Sequence, residues 1–310
     1  MKQIRHIKYT GILTLVILFI VKISSAQQDP MYTQYMDNLL IVNPAYAGSK
    51  ETGNLLMVAR NQWVSFEGAP TTRSFSYNTP LKDYKIGLGF SVLSDKIGPL
   101  TQTGFYFDYS YFLRVGLKYK LGMGLKAGFS FYRASLTELN TIEPDPIYAK
   151  DIFKNFLPNF GVGAYLFSQD TYFGISVPKL VENTINREDY KTEYVSKEKI
   201  NLYVVAGKKA DLGEDVQLKV YSMLKLVQNA PVSVDITSLF GFKEKFWVGG
   251  MFRFGDSYGF LVQFDITEKI RIGYSYDLTF SELNAFSNGT HEIMLGYSFN
   301  LFNKNKHISE

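Results

Sequence analysis

Alternating hydrophobicity along most of the chain constrains the fold more than any other feature. In residues 84–92 and 258–266, large apolar side chains occupy every second position, with mostly glycine or polar residues between them. Because successive side chains of a strand point to opposite faces, this pattern gives a sheet one apolar and one polar face. The pattern is typical of a transmembrane β-barrel that has lipid outside and a polar lumen inside.

Fourteen segments show this pattern, and most are long enough to cross a bilayer at a tilt, which takes ~9–11 residues. The predicted strands are 53–64, 70–79, 84–94, 101–113, 119–133, 159–167, 171–178, 199–208, 215–226, 231–242, 244–255, 257–266, 268–278 and 289–301. We therefore predict an all-β fold, a closed antiparallel barrel of about 14 strands, as in even-numbered bacterial outer-membrane barrels.

The lengths of the connections predict how the barrel is oriented. The longest predicted connections, 134–158, 179–198 and 279–288, all follow odd-numbered strands and therefore lie at one rim. Connections at the other rim, such as 168–171 and 267–269, are short. Because bacterial barrels have short periplasmic turns and longer external loops, we expect three external loops and two periplasmic termini.

The chain divides into four predicted parts. Residues 1–26 have the basic start, apolar core and small-residue cleavage site of a signal peptide. Residues 27–52 lack the alternation and precede the barrel, 53–302, which is followed by a polar periplasmic tail, 303–310. A barrel of this size is too wide for its wall side chains alone to fill. Residues 27–52 are therefore expected to form either a plug in the lumen or an ordered periplasmic segment.

The charge balance excludes one class of partner. The formal net charge of +4 equals the contribution of Lys2, Arg5, Lys8 and Lys22 in the signal peptide, so the mature chain is formally neutral. A basic footprint for nucleic acid is missing from such a chain. The chain also has no cysteine, so it contains neither disulfides nor thiolate metal sites.

No motif predicts catalysis, a cofactor or a metal site. His291 stands on the lipid-facing register of the last strand and lacks a serine at a spacing that would make a nucleophile pair. Paired glycines such as Gly87 and Gly89 lack the strand–turn–helix context of a dinucleotide loop. The acidic residues of 138–151 lack the spacing of a calcium loop. We predict a protein that is not an enzyme.

Charged residues of both signs fall on the inward register of the strands. They are Asp108, Lys126, Lys219, Asp235, Arg253, Asp265, Arg271, Asp277 and Glu292. Mixed charge argues against a strongly ion-selective pore and fits ion pairs that hold an internal element in place. A network and a selectivity ring cannot be distinguished on this pattern alone.

Two blocks of residues near the mature start carry a family resemblance. The first block contains Gln28, Asp29, Pro30, Gln34, Tyr35, Asn43, Pro44 and Gly48. The second block, at predicted strands 1 and 2, contains Arg60, Gln62, Trp63, Gly68, Ala69 and Pro70. With further matches at 94–99 and 290–299, the chain resembles the PorP/SprF family over essentially its whole mature length.

The resemblance implies a non-catalytic outer-membrane barrel of the type IX secretion system. Such barrels support the secretion or surface anchoring of a specific adhesin, in some members during gliding motility. The implied partners are outer-membrane lipid, the C-terminal domain of a secreted adhesin, and periplasmic components of the secretion system. A channel or transporter for small or hydrophobic solutes is the alternative function.

Aromatic residues of the predicted external loops are candidates for partner contacts, because aromatic side chains are enriched at protein interfaces. They are Tyr148, Phe153, Phe156, Tyr190, Tyr194 and Phe286. The alternative is that these aromatic side chains pack the loops against the rim of the barrel.

Overall fold

The architecture of the molecule is a closed β-barrel. The computed structural model describes residues 29–81, 84–138, 150–185 and 197–300. Across these residues fourteen antiparallel strands follow in chain order around the barrel, and the last pairs with the first. The predicted class and strand number are confirmed. The strands are β1 (Gly53–Asn61), β2 (Thr71–Pro80), β3 (Ile86–Ile97), β4 (Leu100–Val115), β5 (Tyr119–Ala134), β6 (Ile152–Phe167), β7 (Thr171–Val177), β8 (Asn201–Asp211), β9 (Val216–Val227), β10 (Ser233–Phe242), β11 (Phe246–Arg253), β12 (Ser257–Asp265), β13 (Ile270–Thr279) and β14 (Thr290–Phe299).

The alternation of side chains sorts the two faces of the wall as predicted. On β11, Phe246 and Phe252 are 41% and 42% exposed on the outer face, whereas Trp247 is 2% exposed on the inner face. On β13, Ser275 and Asp277 are buried in the same way. A water-filled lumen would leave inward side chains accessible, so their burial shows that the lumen is filled.

The longest connections lie at one rim, as predicted, together with short ones such as 98–99 and 254–256. Connections 62–70, 135–151, 178–200 and 280–289 share one end of the barrel, which is called the long-loop rim. The opposite end, called the short-turn rim, has tight turns such as 116–118. Strand β1 begins and strand β14 ends at the short-turn rim.

Strand β6 begins at Ile152, inside the predicted connection 134–158. Its additional residues pair with the end of β5 across a β-bulge that shifts the register between Ser130 and Tyr132. Pro158, which favours a loop in the sequence, lies beside this bulge, where the ladder tolerates a missing N–H. The connection before β6 is therefore shorter than predicted.

Residues 29–49, called the lumen segment, lie inside the barrel. They contain the short helix α1 (Leu39–Val42) and a 3₁₀ turn at Pro44–Tyr46. Their buried side chains form one hydrophobic cluster with wall residues such as Leu261 and Met294. In the part of the chain that the structure describes, no helix has the length and apolar character to cross a membrane.

The lumen segment crosses the barrel from one rim to the other. Asp29 lies at the long-loop rim, where its carboxylate contacts Lys179 after β7 and Asn201 at the start of β8. Gly48 lies near the short-turn rim, where its N–H donates to Asn78 close to the end of β2. Two periplasmic termini would place the start of this segment at the rim where β1 begins. The structure instead places Asp29 at the opposite rim, where its ionic partners lie.

Candidate functional site

A buried ion cluster of Arg60, Asp277 and Glu292, called the Arg60 cluster, holds the lumen segment. Arg60 Nη1 lies 2.9 Å from Asp277 Oδ2 and 3.1 Å from Glu292 Oε2. The same nitrogen donates to the Thr33 hydroxyl at 2.6 Å. Glu292 also accepts the backbone N–H groups of Thr33 and Gln34. One cation faces two carboxylates, and donors of the lumen segment add hydrogen bonds to Glu292.

A second cluster lies closer to the short-turn rim. Arg271 makes a two-pronged contact with Asp265, at 2.6 and 2.8 Å. Arg271 Nη1 also lies 3.4 Å from Asp37 Oδ1 of the lumen segment. The Gln263 side chain donates to Asp37 at 2.8 Å. The wall therefore holds the lumen segment through charge at two different depths.

A third contact uses a buried wall lysine. Lys126 Nζ lies 3.0 Å from Asp108 Oδ1 and 3.1 Å from the carbonyl oxygen of Leu40. On the other side of the segment, the Asn38 amide donates to the Ser74 hydroxyl at 3.1 Å. Lys126 and Asp108 are both almost fully buried. The ammonium group thus contacts a wall carboxylate and a backbone carbonyl of α1 at the same time.

Asn43 fixes the 3₁₀ turn of the lumen segment. Its Oδ1 accepts the backbone N–H of Ala45 at 3.0 Å, and its Nδ2 donates to the carbonyl oxygen of Ala164 on β6 at 3.0 Å. Pro44 follows at the first position of the turn, where its fixed φ is favourable and its missing N–H costs nothing. Asn43 therefore caps the turn and ties it to the wall.

Inward glycines allow the backbone of the lumen segment to approach the wall. A Cβ atom added to Gly124 would lie 2.1 Å from the backbone nitrogen of Ala45. One added to Gly87 would lie 1.9 Å from the carbonyl oxygen of Ala47. Both distances are far shorter than van der Waals contact. The backbone of the lumen segment therefore packs directly against glycines on the inward register, which are called its seat.

Asp29 anchors the segment at the long-loop rim. Its carboxylate accepts hydrogen bonds from Lys179, at 2.7 Å, and from Asn201, and its carbonyl oxygen accepts one from Lys225 at 2.7 Å. Burial raises the pKa of Asp29, but the charges of Lys179 and Lys225 and the hydrogen bonds from Lys179 and Asn201 outweigh it. The pKa of Asp29 therefore lies below its usual value.

The remaining predicted lumen charges also lie on the inner face. Arg253 makes a two-pronged contact with Asp235, at 2.8 and 2.9 Å. Lys219 Nζ lies 3.3 Å from the centre of the Trp247 ring, in a cation–π contact. Arg253 is thus paired with a wall carboxylate, whereas Lys219 contacts an aromatic ring of the wall.

The first predicted motif block belongs to the lumen segment. Its described members there are Asp29, Pro30, Gln34, Tyr35, Asn43, Pro44 and Gly48. Gln28 lies outside the described residues. Asp29, Gln34 and Asn43 contact the inner wall directly through their side chains.

The second motif block divides at the end of β1. Arg60 is in the strand, and the residues that follow lie in connection 62–70 at the long-loop rim. These are Gln62, Trp63, Gly68, Ala69 and Pro70. The predicted strand 53–64 is too long because Trp63 and Ser65 have positive φ angles, 46° and 78°, which end the extended backbone.

The predicted aromatic contacts are only partly in loops. Phe286 is 70% exposed in connection 280–289. The prediction that Phe153 and Phe156 lie in a loop is wrong, because both belong to the extended start of β6, where they are 61% and 63% exposed. Tyr148, Tyr190 and Tyr194 lie outside the described residues. Whether these aromatic side chains contact a partner stays a prediction.

Sequence reasoning missed several partners of the lumen segment. Thr33 lies within the first motif block, so its position gave a signal that was not used. No local sequence pattern marks Asp37 or Lys179, because their partners are far away in the chain. Among the residues that the structure describes, no group of three or more His, Cys, Asp or Glu side chains could hold a metal ion.

Two solved structures are similar to the barrel at low sequence identity. Acinetobacter baumannii outer membrane protein Omp33 is 9% identical with a TM-score of 0.48, covering 80% of this chain and 99% of that chain. The Ralstonia pickettii toluene transporter TbuX is 10% identical with a TM-score of 0.43, covering 83% of this chain and 92% of that chain. Both TM-scores are below 0.5, so neither likeness supports a further conclusion.

The family assignment rests on the sequence as a whole. No curated protein matches the chain. The profile of a family described as Type IX secretion system membrane protein PorP/SprF matches residues 24–297. This range includes the lumen segment, the Arg60 cluster and nearly all of the barrel. The chain therefore belongs to the PorP/SprF family of type IX secretion system membrane proteins.

Proposed function

We propose that the protein is a closed docking barrel of the type IX secretion system. The long-loop rim would face the exterior and hold the C-terminal domain of one secreted adhesin. The short-turn rim would face the periplasm and contact the secretion machinery. Gliding motility is one setting in which such an adhesin would be used. The observation that carries this proposal is the filled lumen, together with membership of a secretion family.

The filled lumen favours an anchor over a conduit. The lumen segment is fixed at Asp29 and at the Arg60 cluster toward the long-loop rim and at Arg271 toward the short-turn rim, so it is anchored near both ends of the barrel. Removing one partner of a buried ion pair costs about 3–5 kcal/mol. Displacing the whole segment would break several such contacts together. We infer that the segment acts as a plug during normal function.

The long-loop rim offers the larger surface for a protein partner. Connection 178–200 is the longest of the barrel, and Phe286 stands 70% exposed at the same rim, nearly opposite this connection in the ring of strands. Exposed aromatic residues supply much of the binding energy of protein interfaces. Lys179, at the base of connection 178–200, is tied to Asp29, so the plug and the proposed docking loop support each other.

Replacing residues 182–196 by a Gly/Ser linker of the same length tests the docking role. We expect the cognate adhesin to disappear from the cell surface while the amount of barrel in the outer membrane stays unchanged. A matched linker in connection 228–232, at the same rim, is the control and should leave display intact. Normal surface display in the 182–196 variant would contradict docking on this loop.

The alternative, a channel or transporter for small or hydrophobic solutes, requires the lumen segment to leave its seat. Its inward neighbours are charged or polar at the Arg60 cluster and at Arg271, which does not suit an apolar path. The described contacts therefore support the docking barrel over the transporter.

A further inference from the structure

We propose that the hairpin of β4 and β5 carries a second docking surface at the short-turn rim, for a periplasmic protein with an acidic surface. The inference deepens the proposed function and shares its assumption that this rim faces the periplasm. It assigns a position and a chemistry to a partner contact at the end of the barrel opposite the adhesin loops.

On the β4–β5 hairpin the surface is a cluster of cations without acidic neighbours in sequence. Residues 111–122 contain Arg114, Lys118 and Lys120 and no Asp or Glu. Lys85 adjoins them, because its carbonyl oxygen accepts the backbone N–H of Phe112 on the neighbouring strand. These four residues, Lys85, Arg114, Lys118 and Lys120, are called the basic rim patch.

The basic rim patch has no ionic partner among the residues that the structure describes. Arg114 and Lys120 are direct cross-strand neighbours on the hairpin. Like charges placed directly opposite each other destabilise a sheet. Elsewhere at this rim the turns mix both signs, as in Lys243 and Glu244. The local cost of the patch therefore indicates that an anion outside the chain compensates it.

The register directs the patch toward the mouth of the lumen. Ser110 and Phe112 are buried on the inner face of β4, so Arg114, two residues further, continues that face. Lys120 is the cross-strand neighbour of Phe167, and the Phe112 and Phe167 rings pack edge to face at 5.6 Å. The cations thus lie beside an aromatic pair at the mouth. This position favours a macromolecule that approaches along the barrel axis over lipid headgroups around the wall.

Leu117 supplies an apolar contact in the same place. It stands at the tip of the turn between β4 and β5 and is 106% exposed, beside Gly116 with φ 64°. Protein interfaces combine an apolar core with a polar rim. A leucine surrounded by cations fits a partner that presents Asp and Glu side chains around a shallow apolar pocket. Charge complementarity of this kind mainly directs and accelerates association.

Site-specific photocrosslinking in native cells tests the surface. The photoreactive residue p-benzoylphenylalanine replaces Leu117 in the full-length protein, and the crosslinked peptide is identified by mass spectrometry. We expect a protein adduct whose attachment point lies beside Asp or Glu residues. In the same protein, the triple change Arg114→Glu, Lys118→Glu and Lys120→Glu should reduce the adduct at least tenfold.

Two further variants control the experiment. Lys243→Glu with Lys245→Glu reverses charge elsewhere on the short-turn rim and should leave the Leu117 adduct unchanged. Neutral glutamine replacements of the same three patch residues keep the test valid if charge reversal impairs membrane insertion, and they should also weaken the adduct. Crosslinking to phospholipid only, no adduct, or a protein adduct that is indifferent to the charge changes would overturn the proposal.

The result separates this inference from the adhesin role. If replacement of 182–196 leaves the adhesin displayed while the Leu117 adduct persists, the adhesin proposal fails and the second surface stands. If the Leu117 adduct is absent while loop replacement abolishes display, the second surface fails and the adhesin role stands.

Discussion

Replacing Arg60 by methionine is expected to loosen the lumen segment while the barrel stays closed. Arg60 Nη1 contacts Asp277, Glu292 and Thr33 between 2.6 and 3.1 Å. The side chains of Arg60, Asp277 and Glu292 are at most 2% exposed. Methionine keeps much of the volume but leaves two buried carboxylates without a counter-charge. The strand ladder of β1 is unaffected, because it uses backbone groups.

The magnitude follows from the cost of breaking a buried ion pair. Breaking a buried ion pair by removing one partner costs about 3–5 kcal/mol. Since each 1.4 kcal/mol is a factor of ten, the released population of the lumen segment should rise by roughly a hundredfold to a few thousandfold. Adding Asp277→Asn and Glu292→Gln should recover part of the loss, because no uncompensated carboxylate then remains.

A single cysteine reports the released population, because the chain has no cysteine of its own. Met36 is 7% exposed within the lumen segment, so Met36→Cys should react slowly with a membrane-impermeant maleimide in lipid vesicles. Arg60→Met should accelerate labelling by about a hundredfold or more. Arg73→Met, on the exposed outer face of β2, is the control. Equal labelling rates for Arg60→Met and its parent would refute the role assigned to the Arg60 cluster.

Two further predictions concern the seat and the anchor of the lumen segment. Gly124→Val should also accelerate labelling of Met36→Cys, because its Cβ would lie 2.1 Å from the Ala45 nitrogen. Gly250→Val is the control and should leave labelling slow, because its nearest contact would be 3.4 Å away. Slow labelling in both variants would contradict the close approach of the lumen segment to Gly124. Because the pKa of Asp29 is lowered in the folded protein, its ionised carboxylate stabilises the anchor at any pH above the ordinary pKa of 3.8. This stabilisation is lost as the pH falls through the lower pKa of the folded state. The rate of hydrogen exchange at residues 29–34, corrected for intrinsic rate, should therefore rise only below pH 3.8. The Asp29→Asn variant should show the faster exchange already at pH 7. Identical exchange profiles for the wild type and the variant would contradict a stabilising charge on Asp29.

The local pattern predicts the wall well because strand periodicity is a local property. The alternation around Trp247 assigns its face correctly, and the inward charges follow from the same period. The pattern is less reliable where a local signal is overruled by pairing. Pro158 favours a loop, but it lies beside a β-bulge in the pairing with β5, where a proline is tolerated. Strand β6 therefore continues past Pro158 toward its N-terminal end and includes Phe153.

The arrangement inside the lumen depends on contacts between distant parts of the chain. Arg60 meets Glu292 because β1 and β14 close the barrel in one particular register. Asp29 meets Lys179 because the lumen segment runs from the long-loop rim downward. Neither the closing register nor this direction follows from periodicity or composition. The width of a fourteen-stranded barrel predicted room for a plug, but not which wall residues would hold it.

Conductance measures the central claim most directly, because a closed docking barrel should not conduct. The full-length mature protein and a variant lacking residues 27–50 would be inserted in planar bilayers under the same conditions. The account predicts a silent full-length protein and steady, wide conductance in the variant. Equal conductance of the two proteins would show that the lumen segment does not close the barrel and would favour a channel.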